Sequence, residues 1–141
     1  MRNLFSTSFT FIQQFSTDMQ TWHRSAKKIS DKFIAPQRLD FGDSKYTYRD
    51  ADLVLGLVNP YQFELEKYFG YEVDEYQGYL LGLHVMKNRY GLSNRLVPLF
   101  INPLVGVFED MPKPVNMPAL ENFQDKATQI TDTCQKFSPP T

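Results

Sequence analysis

Hydrophobic positions along this chain recur with two periods. Residues 9–14 (FTFIQQ) alternate as a short strand does. Met19, Trp22, Ala26, Ile29 and Phe33 then recur at spacings of 3, 4, 3 and 4, which is one apolar stripe of a helix. Thr17 or Asp18 can cap its start, and Lys27, Lys28 and Lys32 gather where cations suit the helix C-terminus. Residues 34–45 read as a loop, opened by Ala35-Pro36 and tightened at Gly42-Asp43. Residues 52–58 (DLVLGLV) are apolar on both faces, the pattern of a strand covered on both sides in an α/β protein. Leu53, Leu55 and Leu57 would each contribute roughly 1.5–3 kcal/mol if fully buried. Gly56 within that run marks a close backbone approach.

Residues 59–77 are polar and aromatic and read as an excursion loop with a short helical turn. Residues 79–87 form a second buried strand, and 95–101 and 106–109 shorter ones joined at Asn102-Pro103. The two turns predict an antiparallel meander. From residue 111, prolines and polar residues predict a tail with a short helix at 119–130. The division is thus 1–110 for the folded unit and 111–141 for the tail.

The chain's 141 residues suit one domain. Fifteen basic against sixteen acidic residues exclude a bulk positive field, so any nucleic-acid contact must be local. A single cysteine, Cys134, excludes an internal disulfide and a structural zinc site, and fits a reducing cytoplasm. No apolar run approaches the eighteen or so residues of a membrane helix, and Ser6, Thr7, Ser8 and Thr10 break up any secretory signal. Neither His23 nor His84 has the neighbours of a metal or hydrolytic site, and His84 in an apolar strand reads as a core histidine with a satisfied ring. The rings at 61, 63, 68, 69, 71, 76 and 79 either cover the chain's own core or form a partner surface, and the first is expected.

Lys87-Asn88-Arg89 closes the second buried strand, and a basic turn (YGLSNR) follows at once. Alternation along a strand puts Lys87 and Arg89 on one face. Two cations at a strand tip suit phosphate, because a guanidinium forks onto phosphate oxygens and an ammonium adds a point charge. The plain alternative is a strand end that is basic because it reaches water.

Three stretches, in this order and spacing, carry a resemblance: IQQFSTD (12–18), DADLVLGL (50–57) and HVMKNRYG (84–91). Together, over about residues 9–110, they resemble the C-terminal half of the RecA-like ATPase core in the bacterial replicative helicase (DnaB-like) family. The resemblance implies the α/β class: a partial RecA-like P-loop NTPase core, with a mixed sheet and a C-terminal antiparallel hairpin. It implies that Gln14, or its neighbour Gln13, senses the γ-phosphate, since an amide can donate to phosphate or orient water. Lys87 and Arg89 would be a trans-acting finger reaching a neighbouring subunit's nucleotide. Asp43, Ser44 and Lys45 would lie in the loop that meets single-stranded DNA. Here Gly42 precedes that loop and Lys45 replaces a small residue, a departure from the family pattern.

No GxxxxGK[ST] phosphate loop occurs, and the seven glycines are scattered. The chain alone is therefore expected to bind no cofactor and hydrolyse no ATP; ATP and magnesium are implied only for a complete motor. The expected partner is a complementary N-terminal ATPase half, or neighbouring subunits in a ring, with single-stranded DNA as a further partner and no membrane. An apolar strand at 9–14 with no neighbour upstream points the same way. The competing reading is a non-enzymatic interaction or structural module derived from the same half-domain.

Overall fold

The structure is a computed structural model that describes Pro36 and residues 45–137, with the backbone alone described at Lys45 and Phe137. The strand expected at 9–14, the helix expected to follow it and residues 138–141 lie outside the described residues. The order is helix α1 (Lys45–Asp50), strand β1 (Leu53–Val58), a 3₁₀ turn (Pro60–Phe63) and the strand pair β2 (Lys67–Tyr68) and β3 (Tyr71–Glu72). A second 3₁₀ turn (Val73–Tyr76), β4 (Leu80–Asn88), β5 (Arg95–Asn102), β6 (Val107–Asp110) and helix α2 (Met117–Phe137) follow.

Four strands form one sheet in the order β1-β4-β5-β6. Every described pairing is antiparallel, including β1 with β4. Among the described residues this differs from the expected mixed sheet, and the strand expected at 9–14 lies outside them. β1 reaches β4 through residues 59–79 without the helical crossover that parallel strands require. The class that stands is a mixed α and β fold with a four-stranded antiparallel sheet and a C-terminal helix. The expected meander is present as β4-β5-β6.

The core lies on one face of the sheet. Leu80 and Phe100 sit opposite each other across β4 and β5, and both are fully buried with Leu120, Ala127 and Ile130 of α2. Phe100 meets Phe123 edge to face at 5.3 Å between ring centroids and Tyr79 at 6.0 Å. The stretch expected to be a tail is thus a 21-residue helix within the core. Its prolines do not prevent this: Pro112 and Pro114 precede the helix, and Pro118 stands in the first turn, where a missing N–H costs nothing.

Residues 59–79 fold back over the same face as a compact layer. Phe69 and Gly70 turn the short hairpin with φ of 48° and 93°, the pattern that suits two-residue loops. Tyr68, Tyr71 and Tyr76 are buried in the core, so this ring cluster largely serves the chain's own packing. Tyr68 crosses the sheet at Gly82, where a Cβ would collide with its hydroxyl. Gly56 is the close approach the sequence suggested: a Cβ there would stand 2.5 Å from Cγ of Pro36.

The other face is apolar as well. Register places Leu57, Leu83 and Val97 in one row and Leu55, Val85 and Arg95 in the next. The expectation that β1 is covered on both sides is corrected. Val54 and Val58 are buried, but Leu53, Leu55 and Leu57 are 53%, 49% and 48% exposed, because α2 and the aromatic layer lie across the sheet from them.

Replacing Phe100, fully buried, with Ala should cost about 3–5 kcal/mol in chemical unfolding. Phe108→Ala on exposed β6 should cost under about 1 kcal/mol. Equal losses would contradict the one-sided core.

Candidate functional site

The end of β4 is where the structure concentrates cationic chemistry. The β1–β4 register shifts by one residue between Val54 and Leu55, so that Val85 faces Leu55, Lys87 faces Val54 and Met86 is skipped. Such a bulge bends the strand and re-aims the side chains beyond it. Asn88 then organises the turn. Its side-chain oxygen accepts from Tyr90 N–H at 3.1 Å, and Asn94 N–H donates back to Val85 at 2.7 Å with φ of 55° at Asn94.

The two cations have unlike surroundings. The Lys87 ammonium donates to the backbone oxygens of Tyr48 at 3.0 Å and Arg49 at 2.7 Å and lies 5.6 Å from the Tyr48 ring centroid. Arg89 donates through Nη1 to a carboxylate oxygen of Asp52 at 2.6 Å, with side chains 51% and 56% exposed. An exposed pair of this kind contributes about 0–1 kcal/mol, and the Lys87 ammonium has two carbonyl acceptors against the one carboxylate of Arg89. The guanidinium of Arg89 can therefore exchange its partner at little cost. The ammonium of Lys87 is held more firmly. Asp52, to which sequence reasoning assigned no chemistry, is the Arg89 counter-ion.

The remaining candidates stand elsewhere. Gln14, Asp43 and Ser44 lie outside the described residues, and the backbone of Lys45 opens α1. The structure thus joins Lys87 to the helix that Lys45 begins, and sets Arg89 beside the residue that links this helix to β1. Tyr48 and Asn88 were not singled out from the sequence. Asn88, between two cations and before a glycine-containing turn, carried a turn signal; Tyr48 carried none.

His84 is buried against Tyr68, and the imidazole Nε2 and the phenol share a 2.6 Å hydrogen bond. Burial pushes the imidazole pKa below its ordinary value. Among the described residues no three His, Cys, Asp or Glu side chains come together as metal ligands, and no helix is long and apolar enough to cross a membrane. Comparison with protein-family models, curated proteins and solved structures found no match for this chain.

A depressed histidine pKa has a definite sign. Near and below pH 6.5 the unfolded imidazole binds a proton that the folded one refuses, so stability is full above that pH and falls as pH drops toward the folded pKa. Unfolding midpoints between pH 7.5 and 5.5 should fall, and His84→Gln should flatten that slope. A slope unchanged in the variant would remove His84 as its source.

Proposed function

We propose that this chain supplies the C-terminal half of a RecA-like ATPase core of the replicative-helicase type, acting with a nucleotide-binding half that its 141 residues do not contain. One observation carries the reading. Arg89 stands half exposed at the tip of an antiparallel hairpin, and its guanidinium sits in a surface ion pair with Asp52 that a phosphate can displace. In a ring of such units this guanidinium enters the neighbouring nucleotide site and meets the charge that develops on the transferred phosphoryl group. The sequence carries no GxxxxGK[ST] phosphate loop, so in this reading ATP and its metal belong to the complementary half.

Gln14 would sense the γ-phosphate in that assembly. Asp43, Ser44 and Lys45 would track single-stranded DNA through backbone N–H groups and one ammonium. The apolar sheet face supports the reading: exposed leucines along β1 suit a core whose second layer comes from elsewhere. That same face also favours the second reading, a packing module without catalysis, in which the nucleotide-binding half is bound but its turnover does not need Arg89.

The purified chain should show no ATP hydrolysis. Mixed with a polypeptide carrying the phosphate loop and magnesium-binding strand of a DnaB-type core, it should restore turnover. Arg89→Ala should then lower that turnover on the order of 10³-fold, while Asp52→Asn should leave it nearly intact. Restored turnover that survives Arg89→Ala would end the finger role. Co-elution of the two polypeptides without turnover would favour the packing module.

Single-stranded oligonucleotide titrations supply a separate check. The slope of log affinity against log salt should drop by about 0.7 in Lys45→Ala, the share of one phosphate contact. Binding that ignores salt would take Lys45 out of the interface.

A further inference from the structure

Helix α1 ends in an unusual way. A helix leaves its last four carbonyls without partners inside the helix. In α1 the carbonyl of Thr47 accepts from Ala51 N–H at 3.1 Å. The next two, Tyr48 and Arg49, both accept from the ammonium of Lys87, which arrives from a strand 38 residues further along the chain. The contact is reinforced on both sides. The Tyr48 hydroxyl donates to the carbonyl of Met86, the residue skipped by the bulge, at 3.3 Å. The Arg89 amide donates to the carbonyl of Asp52 at 2.9 Å, and its guanidinium holds the Asp52 carboxylate. Three positions at or just past the end of β4, 86, 87 and 89, are thereby bonded to three positions at or just past the end of α1, 48, 49 and 52.

We infer that Lys87 is a positioning residue, which clamps the C-terminal carbonyls of α1 to the tip of β4 so that the segment beginning at Lys45 and the guanidinium of Arg89 move as one body. The clamp itself rests on geometry alone. Its meaning as a link between the DNA loop and the finger rests on the function proposed above. A second finger cation would need its ammonium free to reach a neighbour's phosphate, and releasing it here would strip two helix carbonyls of their donor. The bulge explains why the strand can do this: by skipping Met86 it sets Lys87 opposite Val54, next to the helix end.

The pair of cations thus divides the work. Arg89 carries an exchangeable charge. Lys87 fixes where that charge stands relative to α1.

Hydrogen exchange on the full chain tests the clamp without any partner. Lys87→Met should speed exchange at the amides of Arg49, Asp50 and Ala51 by about tenfold or more, with α2 amides as the reference for global stability. Lys87→Arg, which can donate to both carbonyls, should keep most of the protection, and Arg89→Ala should leave these amides within about twofold of the parent. Should Lys87→Met fail to fold, Tyr48→Phe, which removes the bond to Met86, should speed exchange at the same amides while Lys87→Arg preserves it, and no change in Tyr48→Phe would count against the clamp. Exchange at α1 that is the same in Lys87→Met and the parent overturns the inference. With the phosphate-loop polypeptide and single-stranded oligonucleotide added, Lys87→Met should weaken the stimulation of hydrolysis by DNA, whereas Arg89→Ala should lower the rate at every DNA concentration. Identical kinetic defects in the two variants, with α1 untouched, would make Lys87 a second finger instead. No turnover with the parent chain would count against the motor reading alone, and the exchange result would still decide the clamp.

Discussion

Backbone pairing along both edges of β4 is the constraint on which the other contacts depend. β1 bonds one edge and β5 the other, and the alternation of side chains then assigns every residue of the strand to a face. Leu80, Gly82 and His84 go to the α2 side; Leu81, Leu83 and Val85 go to the other. A slip of one residue would exchange the two sets. It would also put a side chain where the Tyr68 phenol lies, because Gly82 is the position of the strand that leaves room for it. The layer formed by residues 59–79 is therefore seated by the register of the strand that follows it. At the far end the same pairing, interrupted by one bulge, delivers Lys87 to the end of α1.

Much of this was legible in the chain. The strands at 53, 80, 95 and 107 begin within a residue or so of where apolar runs and turn residues place them. Gly56 and His84 behave as their surroundings implied, one under a close contact and one inside the core with its ring bonded. The direction of the sheet was not legible, because a run apolar on both faces is shared by parallel strands and by antiparallel strands in a larger assembly. The helix at the C-terminal end was underestimated for a different reason. Pro112, Pro114 and Pro118 read as breakers, yet Leu120, Phe123, Ala127, Ile130 and Cys134 recur at 3, 4, 3 and 4, the same stripe recognised at 19–33. Proline is a breaker in a helix interior and is compatible with its first turn.

The candidate site was legible as a place and not as a division of labour. Charge and spacing put Lys87 and Arg89 together at a strand tip, and there they are. Spacing could not show that a bulge at Met86 changes the register between them and the body of the strand. Nor could it show that the carbonyls waiting for Lys87 belong to a helix nearly forty residues away. Their partners separate the two residues: Arg89 has one exposed carboxylate, and Lys87 has two carbonyls at a helix end.

The disagreement between the pattern of β1 and its surroundings has a physical reading of its own. A two-layer antiparallel sheet with one wet face alternates apolar and polar residues, as water on that face rewards. β1 does not alternate; it sets Leu53, Leu55 and Leu57 outward while Val54 and Val58 face the core. The neighbouring rows, Leu83 with Val97 and Val85, extend the same apolar surface inward. Scattered exposed leucines need no explanation, but a contiguous face does. The pattern of β1 suits a sheet with cover on both sides; Leu53, Leu55 and Leu57 stand about half exposed on the far face while Leu81 on that face is buried. A domain that completes its second layer with additional structure satisfies that packing.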